Sequence, residues 1–196
     1  LRLDDTTAGR LDNLDYRLGG TIFYDITDRV RDISISRGKP RRFAAFPAAI
    51  ANVSFNNHDR AFDPLYVNSP FYGNIIPRRE IRISVGGELA FSGWVDDWNL
   101  FYTPDGNSIA DATALDATTI LAQQTLAAST PSVEATGSRI ATTLDSLGWS
   151  SVLRTLDAGT VDCGTQSIAE GASGLAYLQT VAATEAGLLF VAKDGH

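Results

Sequence analysis

The stretch Val53 to Val85, VSFNNHDRAFDPLYVNSPFYGNIIPRREIRISV, restricts the fold more than any other part of the chain. An alternating apolar run enters it, a long connection rich in Asn, Asp, Pro and Gly follows, and a second alternating run leaves it with Ile81, Ile83 and Val85 on one face. Two strands joined by an elaborate corner are predicted. Phe62, Leu65, Tyr66, Phe71 and Tyr72 make that corner far more apolar than a solvated loop, so the sequence predicts that something covers these rings.

The flanking segments extend the β-rich pattern. TIFYDI from Thr21 is β-branched and aromatic, and Ile33 and Ile35 alternate with Asp32, Ser34 and Ser36. Between them Asp25 to Val30 reads as a turn, with Thr27 or Asp28 bonding local backbone. Ala49, Ala51, Val53 and Phe55 alternate with Ile50, Asn52, Ser54 and Asn56 and place small residues on a core face. Across Gly86-Gly87, Arg79 to Val85 and Glu88 to Asp97 form a two-residue hairpin, in which Leu89, Phe91, Gly93 and Val95 share a face. Trp94 and Trp98 fall off that face or beyond the strand, which predicts that at least one covers an edge or meets another chain. Thr103 to Asn107 is a turn, and Ser108 to Leu115 returns as a strand.

At Asp116 the pattern changes to helices. Asp116 caps a predicted helix through Leu126. Ile140, Leu144 and Leu147 mark a second one that stops at Gly148, with Trp149 in apolar contact past the cap. Ser173 begins a third, with Leu175, Leu178 and Ala182 inward and Gly187 as its stop. Val161 to Ile168 is a further strand candidate, and Leu188 to Val191 reads as a buried strand. The predicted class is α+β, mainly β. Residues 1–20 form an N-terminal arm, 21–116 a β-barrel domain, and 117–196 a smaller mixed α/β domain.

Lys193-Asp194-Gly195-His196 is a hairpin turn signature, which predicts a strand beyond it. The chain carries no Met, so it is expected to start inside a longer gene product.

Charge and composition exclude some functions. A net charge of −7 argues against general binding through phosphate contacts, although an acidic wall suits a passage that DNA must slide through. Arg37 to Arg42 is the dense basic run and reads as a solvated loop. The single cysteine, Cys163, rules out an intrachain disulfide framework. No run of about twenty apolar residues is present to span a membrane.

The residues offer no catalytic constellation. Only two histidines exist, His58 in the corner and His196 at the end. Cys163 has no basic neighbour and reads as a small core residue. Asn56, Asn57, Asp59 and Asp63 cluster oxygen ligands, but they lack the spacing, central Gly and distal Glu of a calcium loop. Asp96 and Asp97, adjacent on a strand, face opposite sides of a sheet and do not form a glycosidase pair. No metal, cofactor or catalytic residue is predicted.

Several segments together resemble the minor tail proteins of long-tailed phages of actinobacteria. Asp59-Arg60-Ala61-Phe62-Asp63-Pro64 is similar to a D-R-x-F-D-P segment of that family, and Ser69 to Arg79 to an S-P-[FY]-Y-G-N-x-x-P-R-R segment. Gly93 to Asp96 matches G-[WY]-V-D, and Gly187 with Leu-Leu-Phe-Val-x-x-Asp-Gly resembles the second domain. The chain departs from the family at Lys39 to Ala48, where the family carries more acidic residues. Asp59, Arg60, Asp63, Pro64, Gly73, Asn74, Pro77, Arg78 and Arg79 are the residues that would shape the corner.

Such proteins resemble the baseplate hub of contractile phages. The resemblance implies a tail-tube-like barrel and a structural virion protein at the distal end of the tail, a fragment of a longer hub. It further implies a homotrimeric ring that closes the tail tube. The ring would join the distal tail protein to tip or fibre proteins and enclose the tape measure and, transiently, DNA. Phe62, Leu65, Tyr66, Phe71, Tyr72, Trp94 and Trp98 are then the expected interface between adjacent domains or subunits. A distal tail adaptor and a carbohydrate-binding virion module for host attachment are the alternatives; a tail-associated hydrolase lacks a convergent site.

Overall fold

The computed structural model describes residues 23–38, 46–104 and 106–195. The expected arm over Leu1 to Gly20 lies outside them, as do Thr21 and Ile22, the basic residues Lys39 to Arg42, Asp105 and His196. By contact density the chain divides between Val30 and Arg31.

In the shorter unit, Asp25 accepts hydrogen bonds from the Thr27 amide at 2.9 Å and the Thr27 hydroxyl at 2.6 Å, leading into a 3-10 turn at Thr27–Arg29. The described part of TIFYDI is therefore not a strand, and the turn's acceptor is Asp25 instead of Thr27 or Asp28. An aspartate two residues before a free amide offers the backbone a local bond that competes with a ladder.

From Val30 on, the strands form a five-stranded sheet: β1 (Val30–Ser36), β2 (Ile50–Asn56), β3 (Glu80–Val85), β4 (Glu88–Phe101) and β5 (Ile109–Leu115), in spatial order β1-β2-β5-β4-β3. The late strand β5 runs antiparallel between β2 and β4. On the core face its Ala110, Ala112 and Ala114, all at most 1% exposed, stand opposite Phe55, Val53 and Ala51 on one side and Leu100, Trp98 and Val95 on the other. A central strand of alanines leaves room for large rings above it. That room is what the corner fills.

Two irregularities explain where simple alternation misleads. β4 runs on to Phe101, and its register against β5 shifts between Val95 and Asp97, which leaves Asp96 as an extra residue. A one-residue bulge flips every later side chain to the other face. Trp98 therefore returns to the core face, opposite Ala112, contrary to the expected off-face position. A second shift, between Ile83 and Ser84, buries Ile83 but leaves Val85 exposed at the hairpin. In that hairpin Val85 pairs with Glu88 across Gly86 and Gly87, whose φ values of +61° and +86° suit the left-handed positions of a tight turn. The edge strand β1 is exposed along most of its length, Ile33 included.

After Asp116 the chain forms α1 (Ala117–Gln123), β6 (Thr125–Leu126), β7 (Glu134–Ala135), α2 (Thr136–Ser146), β8 (Asp162–Cys163), β9 (Ala172–Ser173) and α3 (Gly174–Ala183). β6 pairs with β9 and β7 with β8, so two short ladders clip the loops between helices. A second apolar cluster forms here from Leu121, Leu126, Ile140, Leu144, Leu178 and Val181 among others, with Trp149 packed against it.

The helix ends follow their chemistry. Asp116 and Ser173 cap α1 and α3 by accepting from the amides two and three residues on, Thr118 and Ala176. α2 closes on Gly148, φ +74°, with Gly148 N–H bonded to Asp145 O at 3.0 Å and Trp149 N–H to Leu144 O at 2.9 Å, a Schellman cap. Three expectations are corrected. α1 stops at Gln123 because Gln124 is extended, and Leu126 is buried from β6 instead. Only Asp162–Cys163 of the run to Ile168 is ladder, with Ile168 bridging Ser129. Leu188 to Val191 has no ladder among the described residues and exposes Leu188 and Phe190, because no described strand lies alongside to pair with it.

Sequence reading gave no role to Arg139, yet it is the largest fully buried side chain. Its guanidinium donates to Glu134 Oε1 (2.5 Å), the Tyr177 hydroxyl (3.0 Å), Ser132 O (2.5 Å) and Gly164 O (3.3 Å). One buried cation thus ties α2 to α3 and to both flanking loops, with its charge matched by a carboxylate.

Candidate docking surface

The corner between β2 and β3 is a staircase of turns. Arg60 N–H bonds Asn57 O, Asp63 bonds Arg60, Tyr66 bonds Asp63, Ser69 bonds Tyr66 and Tyr72 bonds Ser69, all at 2.9 to 3.1 Å. Each step advances three residues, and the side chain at the start of a step often braces it. Asn57 Oδ1 accepts from Phe62 N–H at 2.9 Å, Asp63 Oδ1 from Leu65 N–H at 2.9 Å, and Ser69 Oγ from Phe71 N–H at 3.0 Å while donating to Ala61 O. Asp63-Pro64 and Ser69-Pro70 put an acceptor at the first turn position and a proline at the second, the arrangement such turns favour. With its backbone groups so paired, a long loop keeps one shape.

The corner is pinned to the sheet by rings. Phe62, 1% exposed, stacks on Phe55 with centroids 4.6 Å apart, on Phe71 at 5.4 Å and on Trp98 at 5.8 Å. Trp98 also donates its indole N–H to Ile76 O at 3.4 Å, fastening the end of the corner. Asn74 accepts from Arg79 at 2.6 Å, and Arg78 N–H bonds Val95 O at 2.6 Å, where the chain enters β3. Gly73 occupies a left-handed position in the turn that bonds Asn74 to Phe71, and Pro77 is exposed.

A charged latch closes the middle of the corner. Arg60 donates through Nη2 at 2.6 Å and Nε at 3.0 Å to Asp63 Oδ2, and its guanidinium lies 4.9 Å from the centre of the Tyr66 ring. Burial acts to raise the Asp63 carboxyl, but Arg60, the Leu65 amide and the Tyr102 hydroxyl outweigh it and hold the group below the usual carboxylate range.

The seven residues expected to dock thus differ in exposure. Phe62 is buried by its own chain, where the alanine strand makes room and Phe55 supplies the contact, while Phe71 and Trp98 stack on it and stay half-buried. Tyr66 is half-buried beside Arg60. Leu65, 85% exposed, and Tyr72 face solvent, together with Val67 and Ile76, which sequence reading missed. The signal for those two was present. They are apolar residues lying between the turn positions whose groups are committed to the backbone.

Trp94 is half-buried and lines a cleft of about 170 Å3 where the sheet meets α1. Its apolar lining is Trp94, Val95, Leu115 and Ile120, and Arg78 and the bulged Asp96 line it as well. Asp116 also contributes, accepting from the Ala49 amide at 2.9 Å and the Thr118 amide at 3.0 Å; burial pushes its carboxyl above the ordinary range despite those donors.

Among the described residues no group of three or more His, Cys, Asp or Glu stands together to hold a metal ion. Asp63 is occupied by Arg60, and Cys163 is buried opposite Glu134 in the β7–β8 ladder.

Two solved tail proteins share this architecture. The 43 kDa tail protein of prophage MuSo2 from Shewanella oneidensis matches with a TM-score of 0.54 and 15% identity, over 85% of this chain and 53% of its own. The tail protein from Neisseria meningitidis MC58 matches with a TM-score of 0.52 and 11% identity, over 83% of this chain and 43% of its own. The chain has a phage tail protein fold. It spans about half the length of these two proteins. No protein-family model and no curated protein matches the chain.

Proposed function

We propose that this chain is a structural part of a phage tail, belonging to a hub ring at the distal end of the tail tube. The observation that supports this reading is the fold shared with two tail proteins across more than four fifths of the chain, at 85% and 83% coverage. Three copies would form the ring, with the sheet domain over 21–116 and the helical domain over 117–196 in each. The ring would contact the distal tail protein, the tail tube, the tape measure and tip or fibre proteins, in a phage of actinobacteria as the corner segments suggest. No catalytic step is assigned to it. A net charge of −7 favours a wall that DNA passes without binding.

Imaging intact particles and weighing the isolated complex test the reading together. Threefold density at the distal tip and three copies per particle are expected. Six copies would favour a distal tail adaptor, and absence of the chain from purified particles would overturn the tail assignment.

A further inference from the structure

The β3–β4 hairpin outruns the sheet that carries it. β5 ends at Leu115, opposite Trp94, so from Glu88 to Gly93 β4 has β3 on one side and no described strand on the other. At ~3.3 Å per residue this makes an arm of about 20 Å. A two-stranded ribbon alone is only marginally stable in water, so such an arm needs a brace. Arg37 supplies part of one, donating to Ala90 O at 2.8 Å.

More of it comes from the far end of the chain. After α3, Gly187 N–H bonds Ala182 O at 2.8 Å and Ala186 takes a left-handed φ of +56°, which turns the chain out of the helix at a fixed point. Leu189 packs on the helical cluster, and the Phe190 ring lies 5.1 Å from that of Phe46, ahead of β2. Lys193 Nζ stands 3.4 Å from Glu88 Oε2. Gly195 lies so near the arm that a Cβ there would come within 3.3 Å of Ser92 Oγ, and Ser92 is buried. By alternation Glu88 and Ser92 share a face of β4 with Trp94, which meets α1 in the cleft.

This segment is seated without a ladder over Leu188 to Val191, and Leu188 and Phe190 stay exposed. The Lys193–Glu88 pair is solvent-exposed, of the kind that contributes little. A segment held in this way opens at a lower free energy than a buried cluster. We infer that residues 187–195 are a strap that pivots at Ala186–Gly187. Seated on β4 it fixes the β3–β4 arm, and lifted it lets the arm move while β2, β5 and upper β4 stay paired. The inference does not depend on the tail reading.

Amide hydrogen exchange on the full chain tests it. Phe190→Ala is expected to speed exchange in the arm, Ile83 to Ser92, at least about tenfold, with Val53 and Ala112 unchanged. Phe46→Ala should do the same, and the double variant should add little to either, since both remove one contact. Lys193→Glu, at an exposed position, sets like charges together and should give a rise of about two- to fivefold that shrinks with added salt. An arm whose exchange is unchanged in all of these variants is held by its own pairing, and the strap is overturned. An equal rise in β2 and β5 would make residues 187–195 part of one cooperative core, and would overturn it too.

Discussion

At the scale of single residues, Asp63 and Arg139 show two ways a buried charge is kept. Asp63 has a depressed carboxyl pKa, so its contribution to stability is present above the unfolded aspartate value of about 3.9 and is lost as pH falls through the folded value. Asp63→Asn is expected to cost about 1–3 kcal/mol at pH 7. In urea melts the gap between the variant and the parent chain should begin to narrow below about pH 4 and keep narrowing as the pH falls further. A gap that stays constant as the pH is lowered would mean that Asp63 acts through its turn geometry and not through its charge. Arg139 is different, because its partners Glu134, Tyr177, Ser132 O and Gly164 O belong to separate segments. Arg139→Met should destabilise by about 3–5 kcal/mol, read as a lower urea midpoint with little change in slope. No sequence pattern separates this arginine from a surface one on α2, since its burial depends on where the loops around Ser132 and Gly164 come to lie.

At the scale of elements, what was legible is what short-range chemistry decides. The Gly86-Gly87 hairpin, the Asp116 and Ser173 caps, the Gly148-Trp149 helix end and the turn residues of the corner each require only neighbours within a few positions. The side on which Trp98 falls depends on the bulge at Asp96, which only the β5 register reveals. Likewise the covering of Phe62 depends on an alanine strand some fifty residues later. Leu188 to Val191 has the composition of a strand, but a strand needs a partner, and composition does not supply one. Two glycines separate the local and the long-range kinds of constraint. At Gly148 a Cβ would meet nothing within 4 Å, so Gly148→Ala carries only the left-handed backbone cost, about 1–2 kcal/mol. At Gly93 a Cβ would press on Leu115 O and the Phe91 ring, so Gly93→Ala must part β4 from β5 or displace Phe91. Gly93→Ala is expected to lower the urea midpoint further than Gly148→Ala, and to disturb amide signals of β5 that Gly148→Ala leaves alone.

At the scale of the molecule, the sheet and the helices are held by different side chains. The rings of Phe55, Phe62, Phe71 and Trp98 lie between the sheet and its corner, whereas Leu121, Leu126, Ile140, Leu144, Leu178 and Val181 form a cluster among the helices. The links between them include Asp116 to Ala49 and Arg78 to Gln123, the latter at 2.9 Å, and these are polar. Apolar clusters that share few contacts can open separately. Leu178, fully buried in α3, is the position from which to ask whether they do. Leu178→Ala should remove about 2–5 kcal/mol from the helical cluster. If residues 117–196 are a domain in their own right, amides of α2 and α3 will exchange faster in this variant while those of β2 and β5 keep their protection. Equal loss in both places would make the sheet and helices one cooperative unit. The polar hinge at Asp116 would then be a point of coupling, because Asp116 holds the amide of Ala49 before β2 and caps α1 with the same carboxylate.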